Sequence, residues 1–183
     1  VLRIQLNILE IDLKTNNYSL VHEMSDATVS HQWVRAVDKN WVFFEEYTDS
    51  KENANFYLLN RTTGEVTTVK ENEKMPLVHQ ITAFFTEDSQ LVFNFVKDSK
   101  EDTSLNTLHQ LETTTMKDQV IDQNTFSPIQ FNGKLYYIRY DASANHSEVV
   151  QYDMKSGEKE VMLTHQSATE HLNQLFTDQH ELY

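Results

Sequence analysis

In "KLYYIRYD" (134–141) and "EVTTVK" (65–70) apolar and polar side chains trade places at nearly every residue. A period of two turns alternate side chains to opposite faces of an extended chain, so these runs predict half-buried β-strands. Val, Ile, Tyr, Phe and Thr dominate them, the types that a pleated surface favours. "WVFFEE" and "LVFNFV" are apolar on both faces, which predicts strands with sheet packed on either side. Helical periodicity is nearly absent. Only "SATEHLNQLF" (167–176) could carry a helix, and it is read here as the start of a further strand unit.

The strands recur in a fixed order. A first strand, a polar turn, an aromatic-rich second strand, a longer polar loop, a third strand, a tight turn and a fourth strand run over 31–70, again over 79–121 and again over 128–163. The second strands begin at Trp41, Leu91, Leu135 and Leu182, spaced 50, 44 and 47 residues apart, a repeat length that predicts stacked sheets. Gly64, Gly133 and Gly157, the three glycines of the chain, all fall in predicted hairpin turns, where a positive φ is needed. Residues 8–23 match a third and fourth strand, and residues 171–183 match a first strand and the beginning of a second. The two half-units are expected to pair and leave no sheet edge open.

This pattern resembles the β-propeller, and specifically the degenerate bacterial repeats of the TolB-like kind, whose hairpin motif is approximated by "LLNRTTGE" and "YDMKSGEK". The resemblance spans almost the whole chain and rests on a generic motif. The Trp-Asp repeat, the double-Gly kelch signature and the sialidase box are all missing. It implies an all-β fold, a β-propeller of four-stranded antiparallel blades forming one domain over 1–183. About four blades closed by the N- and C-terminal strands are expected, with part of a larger ring of about six to eight blades as the alternative. It also implies a bacterial, extracytoplasmic setting.

Charge narrows the partners. With 15 Lys and Arg against 28 Asp and Glu, the net charge of -13 repels phosphate backbones, so nucleic acid is not an expected partner. The chain has no Cys, and stability must come from packing without disulfides. Its apolar runs are four or five residues long, as at 41–44 and 81–85, far short of the roughly 20 needed to cross a bilayer as a helix. The chain begins at Val1 without a signal-peptide pattern, which leads us to expect a mature segment whose targeting sequence has been cut away.

Histidines open first strands in three units: His31, His79 and His171, with Pro128 at the fourth such position. First strands line the channel of a propeller, so these imidazoles, with Gln32, Gln80 and Asn173 beside them, could converge at its mouth and suit an anionic ligand or a metal. Strand-start histidines that cap loop carbonyls are the competing reading, and no metal centre or cofactor is assigned. The acidic loops Asp49/Glu52, Asp98/Glu101/Asp102 and Asp141/His146/Glu148 lack calcium-loop spacing and read as solvated hairpin tips. No Gly-x-Ser-x-Gly elbow or phosphate-cradling Gly-rich loop is present. The aromatics Trp41, Phe43, Phe44, Tyr47, Phe93, Phe95, Tyr136, Tyr137 and Tyr140 read as core between blades. Three sequons, at Asn17, Asn60 and Asn145, fall in predicted turns, where Asn is common anyway.

These features favour a non-catalytic scaffold that binds a protein, a small molecule or a glycan. A glycan-active hydrolase or lyase, or the propeller part of a larger peptidase, stands as the alternative.

Overall fold

The computed structural model describes residues 7–23, 29–48, 53–74, 80–96, 106–141, 143–166, 172, 174–178 and 180–183. Among them are strands but no helix. Strands β1 (Asn7–Asp12) and β2 (Asn17–Glu23) form a two-stranded sheet. Sheet I is built from β3 (Val29–Val37), β4 (Trp41–Thr48), β5 (Asn53–Asn60) and β6 (Val66–Lys74). Sheet II takes β7 (Gln80–Phe85), β8 (Leu91–Val96), β9 (Thr107–Glu112) and β10 (Lys117–Gln123), and sheet III takes β11 (Thr125–Phe131), β12 (Lys134–Asp141), β13 (His146–Tyr152) and β14 (Lys159–Gln166). Each is an antiparallel meander in chain order. The repeat units of the sequence are therefore the sheets.

Two boundaries differ from expectation. The third unit's first strand starts at Thr125 rather than Pro128, because Thr125 is buried and pairs with Arg139. Strand β6 runs on to Lys74, with bulges, opposite Asn53 and Ala54.

Tight turns join third and fourth strands through their own side chains. Asn60 Oδ1 accepts the Thr62 and Thr63 amides at 2.9 and 3.1 Å, and Asp153 Oδ1 accepts those of Lys155 and Ser156 at 2.8 and 3.0 Å. Such Asx turns explain the acidic or amide residue that opens each one, and at Asn60 they occupy the side chain of a sequon. Gly64 and Gly157 close two of these turns at φ 74° and 76°. A Cβ at Gly157 would meet nothing within 4 Å, so Gly157→Ala isolates backbone strain. It should cost about 1–2 kcal/mol in urea unfolding, with Gly157→Asn clearly milder; equal losses would show that steric contact, not φ, governs the site.

The chain forms two compact units, Val1–Val78 and His79–Tyr183. In the first, Ile8 of β1 packs with Val42, Phe44 and Leu59 of sheet I. In the second, Val92, Leu108 and Ile121 of sheet II pack on Leu135, Tyr137, Val150 and Tyr152 of sheet III. The opposite face of sheet III, Ile138 and Val149, receives Leu172, Leu175 and Leu182 of the terminal segment. Within each unit the sheets stack face to face, and this buries apolar side chains of the second strands: Val42 and Phe44 of β4, Val92 of β8, and Leu135, Tyr137 and Ile138 of β12. Phe43 and Phe44 are both fully buried, as are Val92 and Phe93. A polar tie crosses the second stack: Asn94 Nδ2 donates to Thr125 O at 3.1 Å and to Thr125 Oγ1 at 2.7 Å.

Candidate functional site

Strand β3 lies at one edge of sheet I, and its alternation places His31 and Trp33 on one side with Gln32 on the other, while Arg35 sits at a bulge in the pairing with β4. Gln32 Nε2 donates to Glu46 Oε1 at 2.8 Å. Arg35 pairs with Glu45, which is fully buried on β4 directly opposite Trp33. The Arg35 guanidinium also lies 5.8 Å from the centroid of the Trp33 ring, within cation–π range. A buried carboxylate requires a partner, so Glu45 holds Arg35 in place, and Arg35 steadies an indole that is 53% exposed.

Of the histidines and glutamines expected at the channel mouth, His31 and Gln32 are on this strand, and His31 is exposed. His79, His171 and Asn173 lie outside the described residues, as do Asp49, Glu52, Asp98, Glu101 and Asp102 of the acidic loops. The backbone of Gln80 begins β7, and its side chain is likewise outside them. Trp33, Arg35 and Glu45 were missed by the sequence reading. The signal was present: "HQWVRAV" spaces an aromatic and a guanidinium two apart, opposite the acidic pair of "FFEEY".

A second polar cluster bridges sheets II and III. Asp122 Oδ2, on β10, accepts from Tyr137 Oη at 2.8 Å, Arg139 at 3.2 Å and Lys159 Nζ at 3.1 Å. Arg139 also donates twice to Glu148 Oε2, at 3.0 and 2.6 Å, and His146 Nε2 lies 3.2 Å from Glu148 Oε1. Burial pushes the Asp122 carboxyl up, but hydrogen bonds from Tyr137, the Gln123 amide and Lys159 outweigh it, and the group is held below the usual carboxylate range. Burial and the Asp122 hydrogen bond push the Tyr137 phenol far above its usual value. Tyr137 is thus a fixed donor. Two carboxylates sit close together, yet both are engaged by the protein's own donors, so the cluster reads as a clamp between sheets.

On the other face of sheet II, His109 Nε2 lies 2.9 Å from Thr107 Oγ1 and Nδ1 lies 3.0 Å from Asp118 Oδ1. The order hydroxyl, imidazole, carboxylate is that of an activated nucleophile. His109 is buried, however, and stacked on Phe93 at 4.8 Å with a 4° interplanar angle. It ties β9 to β10. In the described part of the third acidic loop, Asp141 Oδ1 accepts the Ser143 and Ala144 amides and the Ser143 hydroxyl, as expected of a hairpin tip.

No family model matches the sequence, and no curated protein matches it. Solved structures do. An oligogalacturonate lyase in complex with manganese superposes with a TM-score of 0.65 at 11% identity, covering 95% of this chain and 51% of its own. The oligogalacturonate lyase of Vibrio parahaemolyticus gives 0.64 at 12%, with 95% and 51% covered. TolB from Acinetobacter baumannii gives 0.52 at 12%, with 85% and 37% covered. The architecture is a β-propeller's. The sheets are its blades, and the chain spans about half the length of the lyases it resembles. Among the described residues of the propeller, no three or more His, Cys, Asp or Glu side chains are grouped to hold a metal ion, and no helix is long and apolar enough to cross a membrane.

Proposed function

We propose that the chain is a non-catalytic binding propeller of one domain over 1–183, extracytoplasmic, that recognises its ligand along the inner strands of its blades. His31 acts there with Trp33 and Arg35, and Gln32, His79, Gln80 and His171 complete the channel mouth. The observation that carries this reading is the exposed Trp33 ring backed by the Arg35–Glu45 pair. That surface offers ring stacking beside cationic and imidazole hydrogen-bond donors, a combination suited to an acidic sugar. The net charge of -13 opposes an anion only weakly at this range, because exposed charges farther away than about 8–10 Å are screened at ordinary salt. The TolB likeness supports the extracytoplasmic setting.

The rival is lyase activity, favoured by the two oligogalacturonate lyases among the similar structures. Calorimetry with oligogalacturonides, alongside absorbance of the unsaturated product, separates the two. Saturable binding without product is expected, weakened about tenfold by Trp33→Ala, the loss typical of one aromatic contact. A His31→Ala, His79→Ala double variant should weaken it further. Product formation would establish the lyase reading, and no binding would remove the acidic-glycan assignment.

A further inference from the structure

Two sheet interfaces repeat one design. In the first unit, Ile8 and Val21 of β1–β2 cover Val42, Phe44 and Leu59 of sheet I. In the second, Leu108 and Ile121 of sheet II cover Leu135, Tyr137 and Tyr152 of sheet III. The turns fix the correspondence. Asp12–Asn16 matches Glu112–Met116, ending in Asn16 and Met116 at φ 55° and 57°, and the Asx turn at Asn60 matches that at Asp153. Ser19 therefore stands where the second unit has Gln119, Leu59 where it has Tyr152, and Arg61 where it has Met154.

The second unit fills this part of the interface: Gln119 hydrogen-bonds Tyr152, and Met154 packs against the apolar cluster. In the first unit all three positions carry a smaller or a charged side chain, and β1–β2 and the turn after β5 line a cleft of about 410 Å³. That volume lies within the range of small-molecule sites. Its lining is rich in donors. Arg61 is pinned, Nη1 donating to Asp38 O at 2.7 Å and Nη2 to Glu10, which leaves further N–H groups of the guanidinium for a ligand. Lys39 is exposed and adds an ammonium, Ser19 and Thr62 add hydroxyls, and Leu20 adds an aliphatic wall. Glu10, the carboxylate in the described lining, is already paired with Arg61. The cleft is thus net cationic on a chain whose overall charge is -13.

We propose that this cleft binds a hydroxylated carboxylate the size of a single sugar acid. Arg61 and Lys39 take the carboxylate through charge-assisted hydrogen bonds, Ser19 and Thr62 hydrogen-bond the hydroxyls, and the ring lies against Leu20. A bare inorganic anion would engage the cations and leave the aliphatic wall without a partner. Trp33 does not line the cleft, and the site stands whether or not the inner strands bind a glycan.

Calorimetric titration with galacturonate, galactose and inorganic phosphate tests it, on the wild-type chain and again on Trp33→Ala, in which the inner-strand surface no longer contributes. On Trp33→Ala, galacturonate should bind saturably, phosphate more weakly and galactose not at all. Added to that background, Lys39→Ala should weaken galacturonate about tenfold, the worth of one charge-assisted hydrogen bond. Arg61→Met and Ser19→Gln install the side chains of the second unit and should abolish binding. If Arg61→Met does not fold, Lys39→Ala and Ser19→Gln, both at exposed positions, carry the test. Galacturonate binding that is lost in Trp33→Ala, phosphate bound as tightly as galacturonate, or an affinity indifferent to Lys39→Ala and Ser19→Gln would each overturn the proposal.

Discussion

Phe93→Ala should lower unfolding stability by about 3–5 kcal/mol, the range for truncating a fully buried aromatic. Phe93 has no exposed surface. Its ring stacks on His109 at 4.8 Å and meets Phe95 edge-on at 5.0 Å. Truncation removes the transfer energy of the ring and opens a cavity. It also frees the imidazole that Thr107 and Asp118 hold between β9 and β10. Phe84, only partly buried against the neighbouring cluster, should lose markedly less on the same change. Denaturant unfolding followed by tryptophan fluorescence and circular dichroism measures both. A loss below about 1 kcal/mol at Phe93, the ordinary cost of a surface change or less, would show that this face of sheet II is not packed.

Asp122→Ala should cost about 2 kcal/mol, since it removes the acceptor shared by Tyr137, Arg139 and Lys159. Arg139 and Lys159 are each about a third exposed, so their ion pairs count for little. The larger share belongs to the buried Tyr137 hydroxyl left without its partner. The same cluster sets a pH signature. Asp122 has a folded pKa below its usual 3.8, so its contribution is present above about pH 4 and is lost as pH falls through the folded value. Tyr137 is raised above its usual 10.0, so its contribution is full below about pH 10 and declines as pH rises further. Stability measured across pH should show both limbs. Asp122→Ala should flatten the alkaline limb and weaken the acid one, leaving the acid contribution of Asp153, which the Lys134 hydrogen bond holds low. An unchanged alkaline limb would mean that Tyr137 does not depend on Asp122.

Sheets were more legible in the sequence than sites. "WVFFEE" and "LVFNFV" showed that both faces would be covered, and Phe43, Phe44, Val92 and Phe93 are all buried. The glycines marked turns because an αL position penalises any Cβ, and all three have positive φ. The channel-mouth histidines were inferred from unit starts alone, and a strand start says nothing of the radius or height of a side chain. The acidic residues were uninformative for another reason. With 28 of them, spacing could not distinguish Glu45, buried against Arg35, from Asp141, which caps a hairpin tip.

Period, alternation and turn chemistry are local properties, and they were enough to determine strands, their antiparallel order and the repeat that stacks them. Which carboxylate is buried and which aromatic stays exposed are not local. Glu45 meets Arg35 across a strand pair, and Asp122 meets Tyr137 across a stack of two sheets. Those contacts join residues ten and fifteen positions apart on different strands, where the energy of burial depends on neighbours that no short stretch of sequence names.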